Sequence, residues 1–255
     1  MTKRSSLAVL AVTAVTAVTV VAVAAALAHP AEAVDLSKLQ KGYFAGTRAG
    51  SWARYEQVTT DAKGKVTTVV QTVSRLENEG DRVWMETRTE PKEGKKKAST
   101  AKFLMKTDFR PEKNALDFLN YIDRVIMQED GGKAQEMPID QFRAFTGGIS
   151  VDYGVDVEAK GSESVEGKAC DRFGMKGSFD VKILFMRMKG TWVSDVWLSD
   201  GVPFGRVKES IATSDEKGKL MSRTESRLLE AGSGAVSRIK GPVEKVEIPK
   251  LPFGG

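Results

Sequence analysis

The chain has 255 residues, with 39 lysines and arginines against 34 aspartates and glutamates and a formal net charge of +5. Charges of both signs are mixed along the chain, so the one-sided basic surface of a nucleic-acid-binding protein is missing. The single cysteine, Cys170, excludes an intramolecular disulfide, and the fold must be held by its core. We expect Cys170 to be a small buried residue of a strand rather than a reactive thiol.

The N-terminus, residues 1–33, is typical of a signal peptide that is cleaved on export. Lys3 and Arg4 form a basic start, residues 7–28 are uncharged, and residues 31–33 (Ala-Glu-Ala) offer a peptidase site. The alternative is an uncleaved membrane anchor, because the uncharged run approaches the roughly 20 residues that span a bilayer. We therefore expect a periplasmic protein.

After the signal, the chain opens with a predicted meander of three strands. Apolar and polar residues alternate over residues 51–60, 65–76 and 81–89, which is the period of half-buried strands. Turn sequences rich in Gly separate the three. A fourth strand is predicted over residues 101–106, after the lysine-rich loop at 92–97.

An amphipathic helix is predicted next. Asp108 can cap its start, Gly131 can end it, and apolar residues recur between them at helical spacing. The apolar stripe consists of Ala115, Leu116, Phe118, Leu119, Ile122, Val125 and Ile126. Such a stripe has to cover another element, so we expect this helix to lie across a sheet. A second short helix is predicted over residues 139–145.

Strands are predicted again from residue 161 onward. The most hydrophobic of them runs from Phe179 to Met188 as a single strand, with Phe179, Val181, Ile183 and Phe185 on one face. Later strands are predicted over residues 191–198, 202–214 and 219–230. The last of these is largely polar, which favours a charged edge of the sheet.

Strands, then helix, then strands predict an α+β fold. We expect a curved antiparallel sheet, an incomplete β-barrel, with a helical lid packed over one face. The single domain is predicted over residues 34–240, and residues 241–255 form a proline-rich extended tail.

The sequence offers little for catalysis. The only histidine, His29, lies in the predicted signal, so the mature chain would lack the usual general base and the commonest metal ligand. Phosphate-binding, dinucleotide-binding and serine-hydrolase motifs are missing from the sequence. Asp152, Asp156 and Glu158 lack the spacing of a calcium loop and are interpreted as solvated. We therefore predict no enzymatic activity, no cofactor and no metal.

Short motifs at the strand starts carry a family resemblance. Residues 50–55 (Gly-Ser-Trp-Ala-Arg-Tyr), 190–194 (Gly-Thr-Trp-Val-Ser) and 202–208 (Val-Pro-Phe-Gly-Arg-Val-Lys) flank a mid-chain helix in an exported chain. In this order of elements the chain resembles the periplasmic lipoprotein-carrier superfamily of the LolA/LolB type. The resemblance implies an incomplete barrel with a helical lid, a hydrophobic cavity for acyl chains and no catalytic residues.

The predicted function is binding of a lipid or of a lipoprotein acyl chain in a hydrophobic cavity, as in lipoprotein sorting or lipid transport. The expected partners are these acyl chains and envelope membrane proteins, the expected state is a monomer, and nucleic acid is excluded. The predicted cavity residues are Trp52, Met85, Phe103, Met105, Leu119, Ile122, Phe179, Ile183, Phe185 and Trp192.

Two other functions remain open at this point. One is a structural or interaction protein of the cell envelope, in which the same apolar residues fill a solid core. The other is a hydrolase with two facing carboxylates, which can lie far apart in the sequence.

Overall fold

The computed structural model describes residues 47–94, 96–106, 121–139, 154–183 and 186–246. The elements within these ranges are twelve strands. They are β1 (Trp52–Asp61), β2 (Val66–Glu79), β3 (Arg82–Pro91), β4 (Ser99–Lys106), β5 (Ile122–Glu129), β6 (Ala134–Met137), β7 (Gly154–Val165), β8 (Lys168–Ile183), β9 (Met186–Leu198), β10 (Arg206–Asp215), β11 (Leu220–Gly232) and β12 (Val243–Lys245). The four strands predicted first are confirmed as β1–β4.

All twelve strands belong to one sheet, in the order β12-β6-β5-β4-β3-β2-β1-β11-β10-β9-β8-β7. Neighbours pair antiparallel, except that β12 runs parallel to β6. The pairing of β1 with β11 joins the two halves of the chain, β1–β6 and β7–β11, side by side. The strands at the two ends of this order are β12 and β7.

Two hairpin turns repeat the same local chemistry. The Asp61 carboxylate accepts hydrogen bonds from the backbone N–H groups of Lys65 (2.9 Å) and Lys63 (2.8 Å), and these bonds lower the pKa of Asp61. Asp215 accepts from the equivalent two N–H groups in the turn between β10 and β11. In each turn a glycine takes a positive φ, at Gly64 and Gly218, which is why Gly stands there.

The predicted α+β class is wrong for the described residues, because the second half of the predicted helix is a strand. Ile122–Glu129 forms β5 between β4 and β6, with Val125 opposite Phe103 and Ile126 opposite Lys102. This strand carries apolar residues on both faces, Val125 on one and Ile126 on the other, so its apolar residues recur at spacings that also suit a helix. Its β-branched residues favour the extended form. The first part of the predicted helix, residues 108–120, lies outside the described residues, and of the second predicted helix only Ile139 is described.

Two strand predictions from the second half are also wrong. The hydrophobic run from Phe179 to Met188 is not a single strand, because β8 ends at Ile183 and β9 begins at Met186, and these two residues pair. The polar strand β11 is not an edge, because it lies between β1 and β10. One side of β11 is polar since Arg227 there pairs with Glu56 of β1 at 2.7 Å. An interior strand can therefore still face solvent on one side.

We call the two faces of the sheet inner and outer. The inner face carries Tyr55, Met85 and Val196, and the outer face carries Glu56 and Glu86, as the strand registers and the alternation of side chains require. Three clusters of buried apolar residues make up the core. Cys170 of β8 lies in the largest of them at 2% exposure, where burial raises the pKa of its thiol, so its predicted structural role is confirmed.

The outer face of the first half is covered by the chain itself. Residues 233–246, which we call the C-terminal strap, follow β11 and run across the strands to β12. Ala235 and Ile239 of the strap pack on a cluster that contains Trp84 and Leu104. The Trp52 indole N–H donates to the carbonyl of Ser233 at 3.2 Å, where the strap begins. The strap therefore occupies the outer face of this half.

Candidate functional site

A row of apolar side chains crosses four strands on the inner face. Met85 in β3 lies opposite Phe103 in β4, Phe103 opposite Val125 in β5, and Val125 opposite Met137 in β6. Directly opposite residues share a face and stand close together. With strands about 4.8 Å apart, the row is about 14 Å long.

The next row on this face is more deeply buried. Met105 lies opposite Val83 and Ile122, and exposures of 2% for Met105 and 1% for Ile122 place both in the interior. Phe103 and Val125, by contrast, are only half-buried. The apolar surface therefore has a closed end and an accessible end.

A second apolar area lies on the inner face of β7–β9. Phe173, Met175, Trp192 and Val196 are buried there in one cluster, and Phe179 packs against it. Gly190, opposite Phe179, leaves room for the Phe179 ring, because a Cβ at this position would stand 2.7 Å from the ring. The first area continues into Tyr55 of β1 and Leu228 of β11, which share a cluster with Met85 and Met105. The second area forms a cluster of its own.

Polar residues occupy part of the inner face of the central strands β1, β11 and β10. Ser226 in β11 lies opposite Gln57 in β1 and Glu209 in β10. Gln57 donates to the side-chain oxygen of Gln71 at 3.2 Å. On the neighbouring strand β9, Ser194 lies two residues from Val196, the residue opposite Glu209, and therefore on the same face. We call Gln57, Ser226, Glu209 and Ser194 the polar stripe.

A buried ion pair anchors the polar stripe. The Arg206 guanidinium lies 2.7 Å from Oε2 of Glu209, and the Glu209 side chain is 3% exposed. The same guanidinium lies 4.2 Å from the centre of the Tyr55 ring, a cation–π contact. Burial raises the pKa of Tyr55, and the charge of Arg206 offsets part of that effect. The stripe is therefore polar and shielded from water at the same time.

Six predicted cavity residues lie on the inner face. Four of them come together on β3–β5, and the other two belong to the second apolar area. The first group is Met85, Phe103, Met105 and Ile122, and the second is Phe179 and Trp192. The apolar pattern therefore identified six residues of the inner face, but these residues lie in two separate areas of that face.

The other four predicted residues are not gathered there. Trp52 lies opposite Ser74, which pairs with Glu86, so Trp52 belongs to the outer face and contacts the strap. Ile183 ends β8, but its side chain is not described. Leu119 and Phe185 lie outside the described residues.

Sequence reasoning missed the polar stripe. Its signal is present in β10, where Glu209 stands between Val207 and Ile211 at alternate positions. A charge on an otherwise apolar face of a strand is costly to bury unless it is paired. That pattern could have identified Glu209 before the partner Arg206 was known.

A groove of about 640 Å³ lies on the outer face of β7–β11. Its lining contains none of the predicted cavity residues and consists of Asp156, Val157, Glu158, Lys160, Gly174, Met175, Lys176, Val193, Ser194, Asp195, Ser210, Ala212 and Arg223. Asp195 pairs here with Lys160 at 2.7 Å and Arg172 at 3.0 Å. Burial raises the pKa of Asp195, but these two cations outweigh it and the net shift is downward.

Within the described ranges, no group of three or more His, Cys, Asp or Glu side chains could hold a metal ion. In the same part of the chain, no helix combines the length and apolar character that crossing a membrane requires.

In its described residues the chain is an all-β protein built on one open sheet, whose apolar inner face also carries a polar stripe. No family model matches the chain, and no curated protein matches it. Solved structures do match, at low identity. One is a protein described as a lipoprotein from Parabacteroides distasonis (15% identity, 75% of this chain and 98% of that chain, TM-score 0.36).

Two further matches have similar coverage. An exported protein with a YmcC-like fold from Bacteroides fragilis shares 14% identity over 75% of this chain and 99% of its own, with a TM-score of 0.32. An outer membrane lipoprotein-sorting protein domain from Vibrio parahaemolyticus shares 12% identity over 78% and 91%, with a TM-score of 0.31. The descriptions of these matches agree with the family resemblance noted in the sequence.

Proposed function

We propose that this chain is an exported, non-enzymatic protein that binds an acyl chain of a lipid or lipoprotein on the inner face of its sheet. The observation that carries the proposal is the row of Met85, Phe103, Val125 and Met137 across four strands. Methionine side chains are flexible and polarisable, so such a row adapts to a chain of variable shape.

Burial of the ligand would supply the binding energy. Each methylene group removed from water contributes about 0.8 kcal/mol, before the cost of ordering the chain. The half-buried Phe103 and Val125 give the chain a place to enter, and the closed end at Met105 and Ile122 limits how far it reaches.

The test is lipid binding by residues 34–255 purified from the periplasm. Native mass spectrometry with lipid extraction should find a co-purified acyl lipid, and the protein should take up a fluorescent fatty acid. Phe103→Glu places a charge on the inner face and should abolish uptake. The matched control is Val193→Glu on the outer face, where Val193 is already 55% exposed, and uptake should be unchanged.

The competing function is an envelope interaction protein with a filled core. The deep burial of Met85 (6%), Met105 (2%) and Trp192 (4%) favours it. A mass without lipid, together with no uptake of the fatty acid, would overturn the lipid-binding proposal in favour of this one. Retention of the protein in the cytoplasm would overturn the proposed export.

A further inference from the structure

We infer that the polar stripe is the subsite for the uncharged polar linkage of the acyl ligand, where a carbonyl adjoins a hydroxyl or N–H group. The inference rests on the proposed function and extends it from the apolar chain to the head of the ligand. It places the linkage at the centre of the sheet.

Unpartnered buried atoms carry this inference. Oγ of Ser226, Oε1 of Glu209, Oγ of Ser194 and Nε1 of Trp192 are all buried without a hydrogen-bond partner. Their residues are between 2% and 5% exposed. Buried polar atoms in folded proteins nearly always have a partner, because losing water without replacement is costly. Four such atoms on one face indicate that a polar group from outside the chain completes the site.

The register of the strands brings these atoms to one region. Ser226 lies directly opposite Glu209, so their Cβ atoms are about 5 Å apart. Ser194 lies opposite Ile211, which follows Glu209 by two residues on the same face of β10. Trp192 lies two residues from Ser194 on β9 and therefore on the same face. From Ser226 to Trp192 this line spans two strand spacings and four residues, about 17 Å, so a ligand has to extend along it to meet all four atoms.

The chemistry of the four atoms defines the group they take. Oε2 of Glu209 is already bound by Arg206, so the remaining oxygen, Oε1, accepts from a ligand hydroxyl or N–H. The Trp192 indole N–H can only donate, and the serine hydroxyls can donate as well, so they suit a carbonyl oxygen. The Glu209 carboxylate disfavours a phosphate. An ester or amide linkage beside a hydroxyl or N–H fits this set.

The experiment compares two probes of the inner face. The first is 1-monolauroylglycerol, used below its micelle concentration, which carries an ester and hydroxyls. The second is diphenylhexatriene, a fluorescent hydrocarbon without polar atoms. Ser226→Ala and Ser194→Ala should each weaken monolauroylglycerol binding about fivefold, the effect of losing one hydrogen bond. Binding of diphenylhexatriene should not change, which also reports that the inner face is intact.

Ser210→Ala is the matched control, because Ser210 follows Glu209 on β10 and lies opposite Asp195 on the outer face. It should leave both affinities unchanged. Without ligand, Ser226→Ala should be at least as stable as the wild type, since it removes an unpartnered hydroxyl. If one alanine variant fails to fold, the other decides.

The outcomes separate the two proposals. If the wild type binds monolauroylglycerol and neither alanine variant weakens that binding, the stripe holds only water. This result would overturn the inference about the polar stripe and leave the proposed function intact. If the wild type binds neither probe, both are overturned.

Discussion

Glu86 in β3 accepts a hydrogen bond from the hydroxyl of Ser237 at 2.7 Å, across 151 positions of sequence. Its two carboxylate oxygens also accept from the backbone N–H of Arg238 at 2.9 and 3.1 Å. Glu86 is only 2% exposed, so the strap lies over it and shields it from water. A side chain of β3 therefore holds the strap against the outer face.

Glu86→Ala should detach the middle of the strap. The change leaves the Arg238 N–H and the Ser237 hydroxyl without their acceptor, and we expect a loss of about 1–3 kcal/mol in the free energy of unfolding. Urea unfolding measures the loss, and limited proteolysis should cut the strap sooner. Glu93→Ala, at an exposed loop position, is the control. Equal stability of the two variants would mean that the strap does not depend on Glu86.

Met105→Ala should open a cavity at the closed end of the inner face. Met105 is 2% exposed, and truncation of a buried methionine typically costs about 2–5 kcal/mol. Met188→Ala is the control, because Met188 is 49% exposed and should lose little. Thermal unfolding of both variants tests the difference. A small loss for Met105→Ala would show that this end of the face is not tightly packed.

Gly190→Ala should destabilise the fold by steric conflict. The added Cβ would stand 2.1 Å from the Ser214 carbonyl oxygen and 2.7 Å from the Phe179 ring. Backbone cannot yield as a side chain does, so we expect a cost of at least about 1–3 kcal/mol. Gly201→Ala meets only the Ser199 hydroxyl, at 3.9 Å, and serves as the control. Chemical unfolding of the pair decides, and a tolerated Gly190→Ala would contradict the close approach of β9 and β10.

The ion pairs of Asp195 should make stability depend on pH. The pKa of Asp195 is lower in the folded chain than in the unfolded chain, so its contribution is fully present above the unfolded pKa, near 3.9, and is lost as pH falls through the folded pKa. Asp195→Asn should therefore be less stable than the wild type at pH 7, and the gap should narrow between about pH 5 and pH 3.

Asp200→Asn, in the exposed turn after β9, is the control for that experiment. It should follow the wild-type stability curve across the same pH range. A gap between wild type and Asp195→Asn that stays constant down to pH 3 would contradict the lowered pKa.

Much of the strand pattern could be predicted from the sequence, because alternation is a local property. β1–β4 and the turn at residues 61–64 follow directly from it. The same reasoning failed at β5, where Val125 faces inward and Ile126 lies beneath the strap. A strand with apolar residues on both faces lacks the clean alternation of a half-buried strand, so its period is hidden.

The candidate site also contains residues that the sequence could predict and residues that it could not. Apolar patterning selected Met85, Phe103, Met105 and Ile122, which register does bring together. It also selected Trp52, which lies on the opposite face, because no local signal says which face the strap will cover. The polar stripe needed the pairing of β11 with both β1 and β10, which places Ser226 between Gln57 and Glu209.

The sequence by itself determined the local features: charges of mixed sign, the buried cysteine, the hairpin turns and the strands with one polar side. These depend on residues close together in the chain, whose preferences are set by backbone sterics and nearby hydrogen bonds. Only the tertiary structure decided that β11 is interior, that the strap closes the outer face over Glu86, and that Arg206, Glu209 and Ser226 meet on the inner one. Those arrangements come from pairing between distant segments, and the burial that stabilises them exists only once the whole sheet has formed.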